Sequence, residues 1–301
     1  MTAGEKREGG PFPRIDLHMH SNASDGSDTP RELVDKVLQA GIGMFSLTDH
    51  DTVAGIAEVR SALDQRASEM GAALLPVFIP GVEFSCIGEQ GKCHILGYGM
   101  DPEHPAMKEA LAEGRRLRRG KFAHRLVWLK EQYGIVFDPP TIERLSANES
   151  VGKPHLAEEI IRLGYADTIT EAIQTYLSHC DRGIQSRIPA QLAVRSILEA
   201  GGIPVWAHPL GGEGEQRLSR AEHRALLEEL NGYGIRGLEC CYSRYSGEES
   251  SFLVSGARSK GLWISGGSDY HGSRKTIALG QLSADGRTDL SVINIFQAPE
   301  F

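Results

Sequence analysis

Histidines recur beside acidic residues at several separated points of this 301-residue chain. The first pair, His18 and His20, is separated by a single residue. Side chains two apart share one face of an extended strand, so both imidazoles can bind the same ion while Leu17 and Met19 pack behind them. The spacing therefore predicts a bidentate metal ligand on a strand.

Further histidines follow short apolar segments along the chain. A histidine beside an aspartate usually forms an ordinary hydrogen-bonded pair with it, so each motif alone does not indicate a metal site. The set is different, because five histidines come just after predicted short strands: His18, His20, His50, His208 and His271. His94 instead opens the apolar segment 95–98. Together they predict a distributed metal site at the ends of several strands.

A carboxylate joins this set. Glu83 follows the predicted strand 74–79 and lies in the sequence between the early histidines and His94. Taken alone, a glutamate after a buried strand is usually solvated or paired with a cation. A site rich in imidazole, however, needs carboxylates to balance several divalent charges and to bridge two ions. We therefore expect Glu83 to be a bridging ligand.

Composition limits the class of protein. A hydrophobic content of 40% gives enough core for one large domain, or for one domain with an insertion. The net charge of −8 argues against a broad nucleic-acid-binding surface, although a local basic cluster could still bind a phosphorylated substrate. Five cysteines without C-x-x-C spacing suit a reducing compartment, and no apolar stretch approaches the roughly 20 residues of a membrane span. We expect a cytoplasmic protein without membrane association.

A repeated unit of helix, glycine, short buried strand and polar turn delivers the histidines. Thr29 and Glu32 form a capping box around Pro30 at the first helical position, and Gly41 ends this helix. A short strand then leads to His50. The same unit recurs between residues 190 and 271. This periodicity predicts a β/α barrel in which the loops after the strands supply the site.

Residues 101–188 interrupt this rhythm. The segment has few buried-strand patterns and looks mostly helical, so we predict a helical insertion that forms a cap. The barrel domain would comprise residues 14–100 and 189–285. Residues 1–13 would be a disordered N-terminal tail, and residues 286–301 a C-terminal tail.

A basic run at residues 115–121 of the insertion has two interpretations. A run of like charges usually forms a solvated helix face. Alternatively, one or two of its arginines bind phosphate above the metals, because a guanidinium matches two phosphate oxygens at once. Apolar positions 122, 126 and 129 share a helical face with part of the run, so at least one arginine should face inward. The predicted substrate-binding residues are Arg115, Arg116, Arg119, Lys153, His155 and Tyr242.

Taken in order, these motifs resemble the PHP (polymerase and histidinol phosphatase) family of metal-dependent phosphoesterases, in particular its stand-alone nucleotide-directed members. The resemblance covers residues 15 to about 280. It rests on Asp16-Leu17-His18-Met19-His20, Asp25-Gly26, Thr48-Asp49-His50-Asp51, Gly81-Val82-Glu83, His94, Ala207-His208-Pro209 and Gly267-Ser268-Asp269-Tyr270-His271. Lys153 stands where relatives often have an arginine.

The resemblance implies a distorted, TIM-like seven-stranded β/α barrel with two to three divalent metal ions, Mn, Fe or Zn, at its strand ends. One ion would be bound by His18, His20, Glu83 and Asp269. A second would be bound by Glu83, His94 and His208. A third would be bound by Asp25, His50 and His271. The residues expected to act in catalysis are Glu83, Asp269, His208 and His271.

The implied activity is hydrolysis of a phosphate monoester. Two ions about 3.5–4 Å apart can bind one water between them and lower its pKa toward about 7, giving a metal-bridging hydroxide. We expect the substrate to be a nucleotide, a nucleoside 3′,5′-bisphosphate or a short oligonucleotide end. Its base could stack on Tyr242, Tyr245 or Tyr270. We infer no obligate protein partner. The alternatives are a histidinol-phosphate phosphatase and a non-catalytic metal-bearing scaffold.

Overall fold

Seven strands form a barrel in the computed structural model, which describes residues 14–181, 183–213 and 215–300. The predicted disordered tail at residues 1–13 lies outside the described residues. The strands of the chain are β1 (Ile15–Asp16), β2 (Met44–Leu47), β3 (Val77–Ile87), β4 (Lys92–Tyr98), β5 (Ile188–Pro189), β6 (Ile203–Ala207), β7 (Gly237–Tyr242) and β8 (Trp263–Gly267). Their order is β1-β2-β3-β4-β6-β7-β8, with the short β5 beside β3.

The first and last strands meet, so the barrel is nearly closed. The amide of Leu17 donates to the carbonyl of Gly266 at 3.2 Å, and the amide of Asp269 donates to the carbonyl of His18 at 2.8 Å. Gly267 permits this approach, because a Cβ there would lie 2.1 Å from the Cβ of His18. The predicted distorted seven-stranded β/α barrel is confirmed.

One strand runs against the others. β4 is antiparallel to both neighbours. Its residue His94 lies opposite Ser85 of β3 on one side and opposite Ala207 of β6 on the other. The remaining strand pairs are parallel. Because β4 is reversed, its beginning lies where the parallel strands end. This explains why His94 precedes its apolar segment while the other histidines follow theirs.

Five helices accompany the barrel strands: α1 (Pro30–Gln39), α2 (Ile56–Met70), α7 (Ala190–Glu199), α8 (Arg220–Tyr233) and α9 (Gly247–Lys260). The predicted capping box of α1 is present. The amide of Glu32 donates to Thr29 Oγ1 at 3.2 Å, and the amide of Thr29 donates to Glu32 Oε2 at 2.8 Å. α7 packs on β4 and β6, and α9 packs on β7.

The insertion consists of α3 (Pro105–Tyr133), α4 (Pro139–Ser146), α5 (Lys153–Arg162), α6 (Ile169–Ala172) and a π-helical turn, Ile173–Leu177. It has its own hydrophobic cluster, which includes Phe122, Leu129 and Leu156. The beginning of α3 packs instead into the barrel core through Met107 and Leu117. One continuous helix thus belongs to both cores and ties the insertion to the barrel.

The segment from residue 286 onward packs on the barrel as far as it is described. Ile293 and Ile295 are buried in the barrel core, and the amide of Ile264 donates to Asn294 Oδ1 at 2.8 Å. Separately, the described part of the chain contains no helix that is both long and apolar enough to cross a membrane.

Candidate metal centre

The strand ends bring the nine predicted ligands together. Their ligand atoms form four groups, in each of which all atoms lie within 4.8 Å of one another. The groups are His20, Asp25, His50 and His271; His18, Glu83 and His208; His18, His20 and Asp269; and His50, Glu83 and His94. Residues more than 250 positions apart in the sequence therefore converge on one end of the barrel.

Glu83 lies at the centre of the cluster and is 1% exposed. Its carboxylate lies within 3.3 Å of five imidazoles. Glu83 Oε2 is close to ring nitrogens of His18, His20 and His50, and Glu83 Oε1 is close to ring nitrogens of His94 and His208. Burial alone would raise the pKa of Glu83, but the surrounding histidines hold it well below its usual range. The carboxylate is therefore ionised and faces ligand atoms on both sides, as a bridging ligand must.

Several buried atoms of the cluster have no hydrogen-bond partner in the described structure: His20 Nδ1, His50 Nδ1, Glu83 Oε2 and His94 Nε2. Each buried polar atom without a partner costs about 1–3 kcal/mol. Imidazole nitrogens and carboxylate oxygens are together the ligands preferred by Mn²⁺, Fe²⁺ and Zn²⁺. The cluster therefore fits divalent metal ions better than it fits a network of hydrogen bonds.

Asp25 reaches the cluster from the turn after β1. Its Oδ1 lies 3.3 Å from His271 Nε2, and its Oδ2 lies 4.0 Å from His50 Nε2. Burial alone would raise the pKa of Asp25, but His50 and His271 hold it well below its usual range. The turn thus places this carboxylate beside the ring nitrogens of His20, His50 and His271.

Three described non-glycine residues in or beside the cluster have a positive φ: Asp51 (φ 53°), His208 (φ 30°) and Asp269 (φ 59°). This conformation is strained for side chains with a Cβ, and it concentrates at functional sites. His208 and Asp269 each follow a barrel strand closely. The sharp backbone turn directs their side chains into the site.

Two carboxylates that were not predicted contact the ligand histidines His18 and His208. Glu239 in β7 is fully buried; its Oε1 lies 3.0 Å from His18 Nδ1, and its Oε2 accepts from the amide of His208 at 2.7 Å. Glu215 Oε2 lies 3.3 Å from His208 Nδ1. Such carboxylates fix the tautomer and ring orientation of metal-binding histidines. Glu239 could have been found, because it follows a predicted strand just as Glu83 does; the loop residue Glu215 had no such signal.

The role of Glu239 can be tested by the isosteric substitution Glu239→Gln. We expect metal affinity to fall about tenfold to a hundredfold, because the amide cannot accept from His18 and orient His208 as the carboxylate does. Competition with a chromophoric chelator measures this affinity. The control is Glu248→Gln, whose side chain is 86% exposed on α9. Equal affinities in the two variants would contradict the positioning role.

The basic run places its arginines differently from the prediction. Arg116 is 64% exposed and paired with Glu113, and Arg119 is exposed. Arg115 is partly exposed, 3.5 Å from Glu149. The inward-facing arginine is Arg118, whose Nε donates to Asp51 Oδ2 at 2.5 Å. The prediction that Arg116 and Arg119 face the site is therefore wrong.

The helix face that packs on the barrel decides this orientation. A Cβ on Gly114 would lie 3.1 Å from the Cβ of Asp51, so α3 meets the barrel at this position. One turn later the same face carries Arg118, and two turns further it carries Arg125. Positions 116 and 119 lie off this face and point to solvent.

Tyr242 and His155 are also engaged within the protein. Tyr242 is fully buried, and its hydroxyl donates to Asp269 Oδ2 at 2.9 Å, so its ring is not available for stacking with a base. Tyr245 and Tyr270 are buried as well. His155 Nδ1 accepts from the amide of Gly152 at 3.0 Å at the start of α5. These residues support the structure of the site and do not line its cavities.

Two cavities meet at the cluster and share His94, Lys153, His208 and Glu215. The first has a volume of about 740 Å³, and its cationic lining residues are Lys92, Lys121, Arg125, Lys153 and Arg187. The second has a volume of about 660 Å³ and is lined by residues that include Pro154, Ile169, Ile173, Arg274 and Lys275. Of the predicted substrate-binding residues, the described cavity walls contain Lys153.

The first cavity carries more positive than negative charge. Asp181 accepts two hydrogen bonds from Arg125, at 2.8 and 2.7 Å, and lies 3.6 Å from Lys153 Nζ and 3.9 Å from Lys121 Nζ. Burial, together with Arg125, lowers the pKa of Lys121 to about 7. The lining as described has the carboxylates of Asp181, Glu215 and Glu222 against five lysine and arginine side chains, and phosphate is suited to such a group of cations.

Lys275 is a further cation at the cluster. Its Nζ lies 2.7 Å from Asp269 Oδ2, on the wall of the second cavity. Burial alone would lower the pKa of Lys275, but Asp269 raises it, so the ammonium stays charged. Sequence reasoning missed Lys275 because it follows the last ligand motif in a loop without periodicity.

Comparison with known proteins identifies one family, whose domain model matches the first five strands of the chain and the whole insertion. Residues 16–199 match the model of the PHP domain. The chain is 33% identical over 271 residues to the 5′-3′ exoribonuclease Rnm of Escherichia coli K12, with 88% of each chain covered. It is 31% identical over 263 residues to the 3′,5′-nucleoside bisphosphate phosphatase of Chromobacterium violaceum, with 85% of this chain and 87% of that protein covered.

A solved structure supports the fold independently. The chain superposes with a TM-score of 0.74 and 26% identity on a Bifidobacterium adolescentis protein assigned as a metal-dependent phosphoesterase. The match covers 94% of both chains. Barrel and insertion are therefore both shared with that structure.

Proposed function

The chain belongs to the PHP domain family, and we propose that it hydrolyses the phosphate ester of a nucleoside 3′,5′-bisphosphate or of a short oligonucleotide end. It is a metal-dependent phosphoesterase, as its relatives are. The observation that carries the proposal is Glu83, a buried carboxylate within 3.3 Å of five imidazoles. This cluster adjoins a cavity with a surplus of cationic side chains.

The proposed ligands are the nine residues whose ligand atoms form the four overlapping groups described above, and we assign them to three ions as the family resemblance implies. Three ions would be held by His18, His20, Glu83 and Asp269; by Glu83, His94 and His208; and by Asp25, His50 and His271. When bound, Mn²⁺, Fe²⁺ or Zn²⁺ would supply Lewis acidity to the phosphoryl oxygens and lower the pKa of water. Glu239, Glu215 and Tyr242 keep the ligands in place through their hydrogen bonds and ion pairs.

The cationic side chains would hold the substrate. Lys153 lines both cavities and can reach a phosphate at the cluster or beside it. Arg187 lines the first cavity, lies 3.9 Å from Glu215, and donates to the carbonyl of Cys93 at 3.2 Å. A substrate with two phosphates matches this arrangement, with one phosphate at the ligand cluster and the other among Lys121, Arg125, Lys153 and Arg187.

The second cavity favours a nucleotide over histidinol phosphate. The amine of histidinol phosphate needs a free carboxylate. Asp25, Glu83 and Asp269 on this cavity wall belong to the ligand cluster, while Glu213 is paired with Arg244 and Glu215 is paired with His208. The wall also offers the apolar side chains of Ile169 and Ile173, against which a base can pack. A non-catalytic scaffold would not require a complete ligand set.

The contribution of Lys153 and Arg187 to phosphate binding can be measured by replacing either residue with Ala. We expect kcat/KM for a nucleoside 3′,5′-bisphosphate to fall about tenfold to a hundredfold in each variant, chiefly through KM, because a charge-assisted contact of about 1.5–3 kcal/mol is lost. Metal content should not change. The matched control is Arg116→Ala, since Arg116 is a solvent-exposed arginine of the same insertion. Wild-type KM values in the two test variants would refute this role.

The proposed function is tested by assaying the purified, Mn²⁺-loaded protein against a panel of phosphate esters. The panel contains a nucleoside 3′,5′-bisphosphate, the corresponding 5′-monophosphate, a 5′-phosphorylated short oligonucleotide and histidinol phosphate. We expect the bisphosphate or the oligonucleotide to give the highest kcat/KM. Preference for histidinol phosphate, or absence of hydrolysis throughout the panel, would overturn the proposal.

A further inference from the structure

The turn of residues 21–27 presents Asp25 to the cluster, and the barrel holds the start of this turn. The carboxylate of Asp49 accepts from the amide of Ser21 at 2.8 Å and from its hydroxyl at 2.6 Å. It also accepts from the hydroxyl of Ser24 at 2.5 Å. These contacts anchor the turn through its side chains and one amide, and they leave several of its carbonyls to other partners.

The insertion holds two of these carbonyls through Asn148, which lies between α4 and α5. The Nδ2 of Asn148 donates to the carbonyl of Asn22 at 3.3 Å and to the carbonyl of Ser24 at 3.1 Å. Its Oδ1 accepts from the amide of Ser150 at 2.7 Å, which orients the side-chain amide. The amide nitrogen thus faces the turn, and it also lies 3.5 Å from His155 Nε2.

A third carbonyl is held by an arginine that the insertion fixes in place. Arg274 Nη1 donates to the carbonyl of Gly26 at 2.9 Å. Its Nε and Nη2 donate to the two carboxylate oxygens of Glu158 in α5, at 2.8 and 2.9 Å. This bidentate pair sets the plane of the guanidinium, and the guanidinium in turn sets the position of the turn.

The insertion also contacts Asp25 itself. Gly152 precedes α5, and a Cβ at this glycine would lie 3.4 Å from Asp25 Oδ2 and 3.5 Å from Asp25 Cβ. The carboxylate is therefore enclosed between the imidazoles of the barrel and the backbone of the insertion. Its side chain is 13% exposed.

We propose that the helical insertion is a positioning element of the third metal site, in which Asn148 and the Glu158–Arg274 pair hold the turn that carries Asp25. The inference rests on the ligand assignment of the proposed function. Asp25 is the one carboxylate of the third site, whereas the other two sites draw on Glu83 and Asp269, which lie on or beside barrel strands. Loosening the turn therefore lowers the affinity for the third ion and leaves the affinity for the other two unchanged. The cap and the metal centre are coupled through this turn.

The test is the stoichiometry and stepwise affinity of Zn²⁺ binding, measured in metal-buffered solutions by mass spectrometry and chelator competition. The wild-type protein binds three equivalents. In Asn148→Ala and in Glu158→Gln, the weakest equivalent loses about tenfold to a hundredfold in affinity, and the other two are unchanged. Glu158→Gln releases Arg274 without altering the turn itself, so a folding defect in one variant does not decide the result. Thermal melting reports folding in each variant.

The matched control is Arg144→Ala, which breaks an ion pair with Glu159 inside the same insertion, away from the turn. It should bind three equivalents with wild-type affinity. The proposal is overturned if both test variants keep the third equivalent at wild-type affinity, if all equivalents weaken together, or if the wild-type protein binds fewer than three. A protein that binds three equivalents but hydrolyses no phosphate ester would contradict the proposed function alone.

Discussion

The Glu83→Gln variant is expected to lose at least about a thousandfold in kcat/KM, equivalent to about 4 kcal/mol of transition-state stabilisation. Glutamine keeps the size of the side chain but removes the charge that faces five imidazoles within 3.3 Å. When a carboxylate shared by two ions is replaced by a neutral amide, the binding of both ions is weakened. Steady-state kinetics with Mn²⁺, together with metal analysis of the same samples, measures the effect.

Asp25→Ala is the comparison variant, because Asp25 contributes to a single group of ligands whereas Glu83 contributes to two. We expect it to lose the third ion alone and to retain more activity than Glu83→Gln. If the two variants have the same metal content and the same rate, Glu83 does not bridge two ions.

The metal cluster could be predicted from the sequence because its geometry is local to strand ends. His18 and His20 share a face by alternation alone, and His50 follows a strand whose bounds, Met44–Leu47, the apolar pattern gives directly. The carboxyl ends of parallel strands meet at one end of a barrel. The structure accordingly brings the nine predicted residues together. The reversed direction of β4 could not be predicted from the periodicity of apolar residues, because side chains alternate between the two faces in antiparallel strands just as they do in parallel ones.

The substrate-binding side chains were harder to predict, because they depend on how the insertion docks. The pattern of α3 shows that some arginine faces inward, but the close contact of Gly114 with Asp51 decides that this is Arg118 and not Arg116. Likewise Arg187 and Lys275 lie in irregular segments, where no periodicity reports the direction of a side chain. Long-range packing, absent from local sequence patterns, determines these positions.

Removal of the metals is expected to abolish hydrolysis, and Mn²⁺, Fe²⁺ or Zn²⁺ should restore it. The grouped ligand residues are histidines and carboxylates, and four of their buried ligand atoms lack a hydrogen-bond partner in the described structure, so the cluster is suited to binding metal ions. Activity is measured after dialysis against a chelator and again after addition of each ion. Hydrolysis at the wild-type rate in excess chelator would rule out a metal-dependent mechanism.

Metal binding should also release protons, and its apparent affinity should rise with pH. In the metal-free protein, burial lowers the pKa of His20, but the nearby carboxylates of Asp269 and Glu83, 3.3 and 3.2 Å from its Nε2, raise it to about 9 overall. For His208, burial likewise lowers the pKa, while Glu215 and Glu83 raise it to about 10. Both imidazoles are therefore protonated at pH 7 before a metal binds, and each must lose its proton to become a ligand.

Affinity for the metal should consequently fall as pH falls and level off only above about pH 9–10, where the metal-free imidazoles are already neutral. Calorimetry at pH 7 in buffers of different ionisation enthalpy should detect the release of about two protons or more per protein on saturation with Zn²⁺. Glu215→Gln removes one of the carboxylates that raise the pKa of His208, so this variant should release fewer protons at the same pH. Proton release that is absent in the wild-type protein, or unchanged in this variant, would show that other groups control the protonation of the site.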